Sequence, residues 1–134
     1  MVVDRYSSFI WADKIKDETT DTVINYMEKI FLDFGFPQRI RTDGGPAYRE
    51  KFTDWARSNY IVHETSSAYY SQSNGLAETS VKKAKRLVQK TKRMKQNLQQ
   101  AVYQMMNTLM KGIGETPSEM FFKRETKNPL PSLP

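Results

Sequence analysis

Gln38-Arg39-Ile40-Arg41-Thr42-Asp43-Gly44-Gly45-Pro46 is the stretch on which the fold turns. Gln38 to Thr42 predicts a short strand built on Ile40, and Asp43-Gly44-Gly45-Pro46 is a strong break. An acid at the C-terminal end of a strand stands where open α/β sheets place their ligands. The glycines after it let backbone and ligand approach closely. Asp-Gly is also a common turn dipeptide, and taken alone the stretch more often means a plain turn.

Working outward on the N-terminal side, Thr19-Thr20-Asp21 offers helix-capping chemistry. Val23, Ile24, Met27, Ile30, Phe31 and Phe34 follow at helical spacing as one apolar stripe. Gly35 stops this helix and Pro37 prevents its resumption. Met1 to Asp4 and Ser8 to Ile15 predict two strands, with Arg5-Tyr6-Ser7 as a tight turn between them. On the other side, Phe52, Trp55 and Ala56 predict a short helix from Tyr48 to Ser58, and Ile61-Val62-His63 another strand. Thr65 to Asn74 reads as a polar, tyrosine-bearing loop. From Gly75 the chain turns helical on Leu76, Val81, Ala84, Leu87 and Val88. A second helix runs from Leu98 to Met110 on Val102, Met105, Met106 and Leu109. Thr116-Pro117-Ser118-Glu119 opens a last short helix, with Thr as the cap and Pro at the first helical position. Strand, strand, helix, strand, helix, strand and then helices is the order of a layered α/β fold.

At 134 residues the chain has the size of one domain, read here as a core over residues 1–124 and an irregular tail over 125–134. With 38% hydrophobic and 27% charged residues it has the makings of a folded core. It has no cysteine, which excludes disulfides and Cys-based zinc sites and suits an intracellular protein. No apolar run approaches the ~20 residues that span a bilayer, and Met1-Val2-Val3-Asp4-Arg5 lacks the pattern of a signal peptide. The net charge of +6 is local: Lys82, Lys83, Lys85, Arg86, Lys90, Lys92, Arg93 and Lys95 carry +8 without an intervening acid. Such a stripe is the usual footprint of a polyanion site, against the plainer reading of a solvated helix face. It also has the composition of a nuclear localisation signal.

A second acid, Glu78, lies in the first turn of the helix that carries this stripe. A first-turn Glu commonly only complements the helix dipole. Lys82 and Lys85 follow it at offsets of four and seven, on the same helical face. A carboxylate in line with two lysines suits a metal-assisted site beside a phosphate track. The preceding loop, with Tyr70, Gln72 and Asn74, offers aromatic faces and hydrogen-bonding groups for bases and sugars.

Taken together, Arg41-Thr42-Asp43-Gly44-Gly45-Pro46 and Tyr69-Tyr70-Ser71-Gln72-Ser73-Asn74-Gly75-Leu76-Ala77-Glu78 resemble the integrase catalytic core of retroviruses and LTR retrotransposons, especially the Ty3/gypsy group. Val2-Val3-Asp4-Arg5-Tyr6-Ser7 resembles that group's early strand and turn, and Gly114-Glu115-Thr116-Pro117-Ser118-Glu119-Met120-Phe121-Phe122 its closing helix. The resemblance implies a ribonuclease-H-like fold, a mixed sheet flanked by helices, and an Asp, Asp, Glu triad holding two Mg²⁺ (or Mn²⁺) ions. Two such metals activate the attacking oxygen and stabilise the leaving one. Water first trims the element's DNA end, and the new 3′-hydroxyl then attacks target DNA. By position, Asp43 is the second catalytic, metal-binding acid and Glu78 the third. Lys82 and Lys85 match basic positions that contact DNA in the family, Arg86, Tyr70, Gln72 and Asn74 are read beside them as further DNA-binding residues, and a homodimer is implied.

In the family the first acid lies on a strand roughly ten residues before the Val-Val-Asp-Arg-Tyr-Ser stretch. The expectation is therefore a core lacking its first, central strand, with weak metal binding, exposed sheet edges and no activity as it stands. Asp4 and Asp13 are not substitutes, since neither matches the triad position. Gly44 stands where relatives have Asn and Ser71 where they have Pro, and 34 residues separate Asp43 from Glu78 where 35 are typical. His63, the only histidine, reads as a strand residue. The competing reading is a non-catalytic nucleic-acid-binding or oligomerisation module on the same scaffold.

Overall fold

In chain order the elements are β1 (Val2–Val3), β2 (Ile10–Trp11), α1 (Thr20–Phe34), β3 (Arg39–Thr42), a 3-10 turn (Pro46–Tyr48), α2 (Glu50–Ser58), β4 (Val62–Thr65), α3 (Gly75–Arg93), α4 (Leu98–Met106) and α5 (Pro117–Phe122). This computed structural model describes residues 1–65, 75–124 and 126, and for residues 75–78 the backbone only. The order matches the sequence reading. Strand directions are mixed: β1 pairs antiparallel with β2, and β3 pairs parallel with β4. Among the described residues these are two sheets of two strands, where the sequence reading expected a sheet without its central strand. The chain divides into two compact units, Met1–Asp13 with Asn74–Pro134, and Lys14–Ser73.

In the first unit the β1–β2 connection is organised by Asp4. Its Oδ2 accepts from the backbone N–H of Ser7 at 3.1 Å and from the Ser7 hydroxyl at 2.6 Å. The turn puts Ser8 at φ 63°, and Asp4 N–H donates to the Phe9 carbonyl at 2.8 Å. β2 is shorter than the predicted Ser8 to Ile15, because only Val2 and Val3 face it, paired with Trp11 and Ile10. Ile10 and Ala12 pack with Ala84, Val102 and Met106 in a buried core, flanked by half-buried Leu87, Val88, Leu98 and Met105. α4 ends at Met106, short of the predicted Met110. The Asn107 side chain donates to the Tyr103 carbonyl and the Thr108 hydroxyl to the Gln104 carbonyl, both at 2.8 Å, so side chains occupy the last turn's acceptors. Leu109, placed in the apolar stripe by periodicity, is 65% exposed as a result. α5 begins as its sequence dictates, with the Thr116 hydroxyl accepting from Glu119 N–H at 3.1 Å. Phe9 stacks on Phe121 at 4.8 Å and meets Phe122 edge-on at 5.4 Å.

In the second unit α1 is capped by Thr19 and stopped by Gly35, whose φ of 105° suits glycine and whose N–H reaches the Phe31 carbonyl at 2.7 Å. The Thr22 and Thr19 hydroxyls hold the Asp17 carboxyl down at about 2. Val23, Ile24, Met27, Ile30 and Phe31 are buried, while Phe34, the last member of the predicted stripe, is exposed in the final turn. The helix predicted from Tyr48 begins at Glu50, because Arg49 is extended and the preceding residues form the 3-10 turn. Phe52 and Ala56 on α2 are fully buried, and Trp55 Nε1 donates to Glu28 on α1 at 2.7 Å. Burial of a side chain like Phe52 contributes roughly 1.5–3 kcal/mol. β4 starts one residue later than predicted. Ile61 is turned into the core, its N–H bonded to the Ala56 carbonyl at 2.8 Å, so pairing with β3 begins at Val62.

Candidate metal and nucleic-acid site

Asp43 follows the last residue of β3 directly, at the strand's C-terminal end as predicted, and is exposed. Its Oδ1 accepts from Gly45 N–H at 2.8 Å. A Cβ on Gly45 would lie 2.9 Å from that same oxygen, so a side chain there would make the carboxylate turn away. A Cβ on Gly44 would meet only Thr65 Cγ2 at 3.8 Å, an ordinary contact. The glycine requirement therefore belongs to Gly45, and it arises from the carboxylate. Behind the turn stands Tyr48. Burial, then the charge of Asp43, then that of Glu18, push its phenol above the ordinary tyrosine range.

The residue before the acid is anchored more firmly. Thr42 is buried, and its hydroxyl donates to the Asp43 carbonyl at 2.9 Å. The same oxygen lies 2.8 Å from His63 Nε2 on β4, and His63 Nδ1 lies 2.7 Å from Thr53 Oγ1 on α2. Phe52 packs edge-on against the imidazole at 4.8 Å. Burial lowers the imidazole pKa below its ordinary value, which favours the neutral ring. The sequence reading placed His63 correctly on a strand and missed this network. The register that sets Thr42 beside it appears only once β3 and β4 are paired.

The other acids near the N-terminus are occupied structurally. Asp4 closes the β1–β2 turn, and Asp13 Oδ1 accepts from Gln99 at 2.6 Å. Glu78 lies in the first turn of α3, as predicted, and its side chain is outside the described residues. Tyr70, Gln72 and Asn74 also lie outside them. Along α3, Ser80, Ala84 and Thr91 are buried, which turns Lys82, Lys83, Lys85, Arg86, Lys90, Lys92 and Arg93 outward. The stripe read from the sequence is an exposed basic face. Among the described residues no three His, Cys, Asp or Glu side chains cluster as a metal centre. Asp43 is a hard oxygen donor of the kind Mg²⁺ prefers. One such donor does not make a site, so the described residues fit part of a metal centre and do not complete one.

The integrase core domain family matches residues 1–71, more than half of the chain. The chain belongs to that family. An uncharacterized protein of Caenorhabditis elegans is 30% identical over 139 aligned residues, covering 99% of this chain and 11% of the nematode protein. The Gag-Pro-Pol polyprotein of Mason-Pfizer monkey virus is 33% identical over 92 residues, 68% of this chain and 5% of the polyprotein. This integrase core thus spans a small fraction of the curated relatives it matches. Among solved structures, the catalytic core domain of HTLV-2 integrase in complex with magnesium is 25% identical, with a TM-score of 0.65 over 89% of this chain and 80% of that one. A chain of the simian T-cell lymphotropic virus intasome, in complex with a PP2A regulatory subunit, is also 25% identical, with a TM-score of 0.73 over 98% of this chain and 49% of its own. The core of BIV integrase, 21% identical with a TM-score of 0.70 over 90% of this chain and 82% of its own, shares the fold. The ribonuclease-H-like class expected from the motifs is thereby shown. Among the described residues no helix is long and apolar enough to cross a membrane.

Proposed function

We propose that this integrase core acts in DNA integration as a polynucleotidyl transferase, with Asp43 and Glu78 as the second and third acids of a divalent-metal site. The observation that carries this reading is Asp43 itself: an exposed carboxylate at the C-terminal end of β3, oriented by the Gly45 N–H of the following turn. When bound, two Mg²⁺ ions activate the attacking oxygen and stabilise the leaving one. The chain's part is to hold the carboxylates and the DNA. Gly45 N–H orients Oδ1 of Asp43 through their 2.8 Å bond. Glu78, in the first turn of α3, is the third acid in this reading, and the exposed Lys82, Lys85 and Arg86 farther along that helix bind phosphates. Tyr70, Gln72 and Asn74 contact bases or sugars beside the reacting phosphate. The family resemblance implies a first acid on a strand ahead of Val2–Val3, and the test below supplies one. The DNA partners are element ends and target DNA, the assembly is at least a homodimer, and the site of action is the nucleus.

The test is a DNA strand-transfer assay on the chain extended by an upstream strand bearing an aspartate. Mg²⁺- or Mn²⁺-dependent product is expected, lost in Glu78→Gln. Product that survives Glu78→Gln refutes the role given to Glu78.

The exposed basic face of α3 also favours a second reading, a non-catalytic DNA-binding module. It predicts salt-sensitive binding without metal and no strand transfer after the extension.

A further inference from the structure

The Thr53–His63–Thr42 network carries more than packing. A threonine hydroxyl has one hydrogen, and a neutral imidazole has one N–H. The Asp43 carbonyl can only accept, so the Thr42 hydrogen points to it across 2.9 Å. Thr42 Oγ1 is then an acceptor toward the ring, and the atom 2.8 Å away must be Nε2–H. The bare nitrogen is Nδ1, which accepts from the Thr53 hydroxyl at 2.7 Å. Every hydrogen in the chain has one direction: Thr53 on α2 to His63 on β4, to Thr42 at the end of β3, to the peptide carbonyl of Asp43. An apolar side chain could fill this space beside Phe52. A ring with both nitrogens engaged does something further, since it ties the peptide that carries Asp43 to two other elements.

We propose that His63, as its Nε2–H tautomer, is a positioning residue for Asp43, holding through Thr42 the peptide from which the carboxylate projects. The link to metal binding rests on the reading of Asp43 as a metal ligand. Both ring nitrogens of His63 are engaged by Thr42 and Thr53, so it acts through its neighbours. It acts on the strand end, where a tilt of the Thr42–Asp43 peptide would swing the carboxylate away from the Gly45 N–H that orients it. Oriented donors bind metal more tightly than mobile ones, because their freedom is already lost before the ion arrives.

The whole chain has a single histidine, so ¹⁵N-histidine labelling gives an unambiguous spectrum. Long-range ¹⁵N–¹H correlation is expected to show a protonated Nε2 and a bare Nδ1. The opposite tautomer, or rapid exchange between both, overturns the proposal. Mn²⁺ is then titrated against the amide signals of Gly44 and Gly45. The midpoint of their paramagnetic broadening is expected to rise about three- to tenfold in His63→Asn, as for loss of one or more hydrogen bonds. It should return toward the wild-type value in His63→Gln, whose side-chain N–H₂ reaches the place of Nε2. Should His63→Asn not fold, Thr42→Val against Thr42→Ser makes the same comparison. Broadening in the wild type with an unchanged midpoint in His63→Asn overturns the positioning role alone. Gly44 and Gly45 signals that stay sharp in the wild type overturn the reading of Asp43 as a ligand, and this inference with it.

Discussion

Replacing Gly45 with alanine sets a methyl group 2.9 Å from Asp43 Oδ1, and the backbone is not what resists it, because Gly45 already has φ −65°. Relief requires the carboxylate to turn away, which breaks the 2.8 Å bond from Gly45 N–H. A bond of this kind contributes about 0.5–1.5 kcal/mol. Alanine in place of glycine recovers about 0.4–1 kcal/mol through the less flexible unfolded chain. The net effect of Gly45→Ala alone is therefore small and uninformative. Gly44→Ala supplies the reference: its Cβ meets nothing nearer than Thr65 Cγ2 at 3.8 Å, its φ is not positive, and the Asp43 bond survives. Urea unfolding of both variants should show Gly45→Ala less stable than Gly44→Ala by about 0.5–1.5 kcal/mol. In an Asp43→Ala background neither the clash nor the bond exists, and the two should agree within about 0.3–0.5 kcal/mol. Equal stabilities with Asp43 present, or a gap that persists without it, would refute the claim that Gly45 is required by the carboxylate.

Three further outcomes follow from the same structure. Met106→Ala, at a side chain only 1% exposed, should cost about 2–5 kcal/mol by urea unfolding, since it empties the centre of the first unit's core. His63 has its pKa lowered by burial, so the unfolded chain takes up the proton first. Stability should be flat above the ordinary histidine value of 6.5 and fall as pH drops below it, and His63→Gln should remove that component of the pH profile. Changing Lys82, Lys85 and Arg86 together to glutamine should lower the salt slope of duplex DNA binding by roughly 0.9 for each phosphate that the variant no longer neutralises, measured by fluorescence anisotropy.

Much of the architecture was legible because local signals agreed with one another. Thr19 and Gly35 bound α1 where capping chemistry puts them, and Thr116-Pro117 opens α5 for the same reason. Length was harder to read than existence. The β2 strand stops early because a strand extends only as far as its partner, and α4 stops at Asn107 because side chains there take the helix's carbonyls. Neither fact is visible in an apolar pattern, which would have carried α4 on to Leu109. Asp43's place at a strand end before glycines was legible. The division of labour between those glycines was not, since it depends on where one carboxylate oxygen points. His63 was placed on its strand but its role was hidden. Thr42, Thr53 and His63 are brought together by parallel pairing of β3 and β4 and by the packing of α2, which a linear reading does not contain.

The central claim is that Asp43 and Glu78 serve one reaction as acids of one metal site. The most direct measurement is the strand-transfer rate of the upstream-extended chain as wild type, Asp43→Asn, Glu78→Gln and the double variant, at one Mn²⁺ concentration. Residues that act as a unit are strongly non-additive. Each single variant should therefore fall to background, with the double variant no lower. Appreciable strand transfer in either single variant, or losses that multiply in the double, would contradict it.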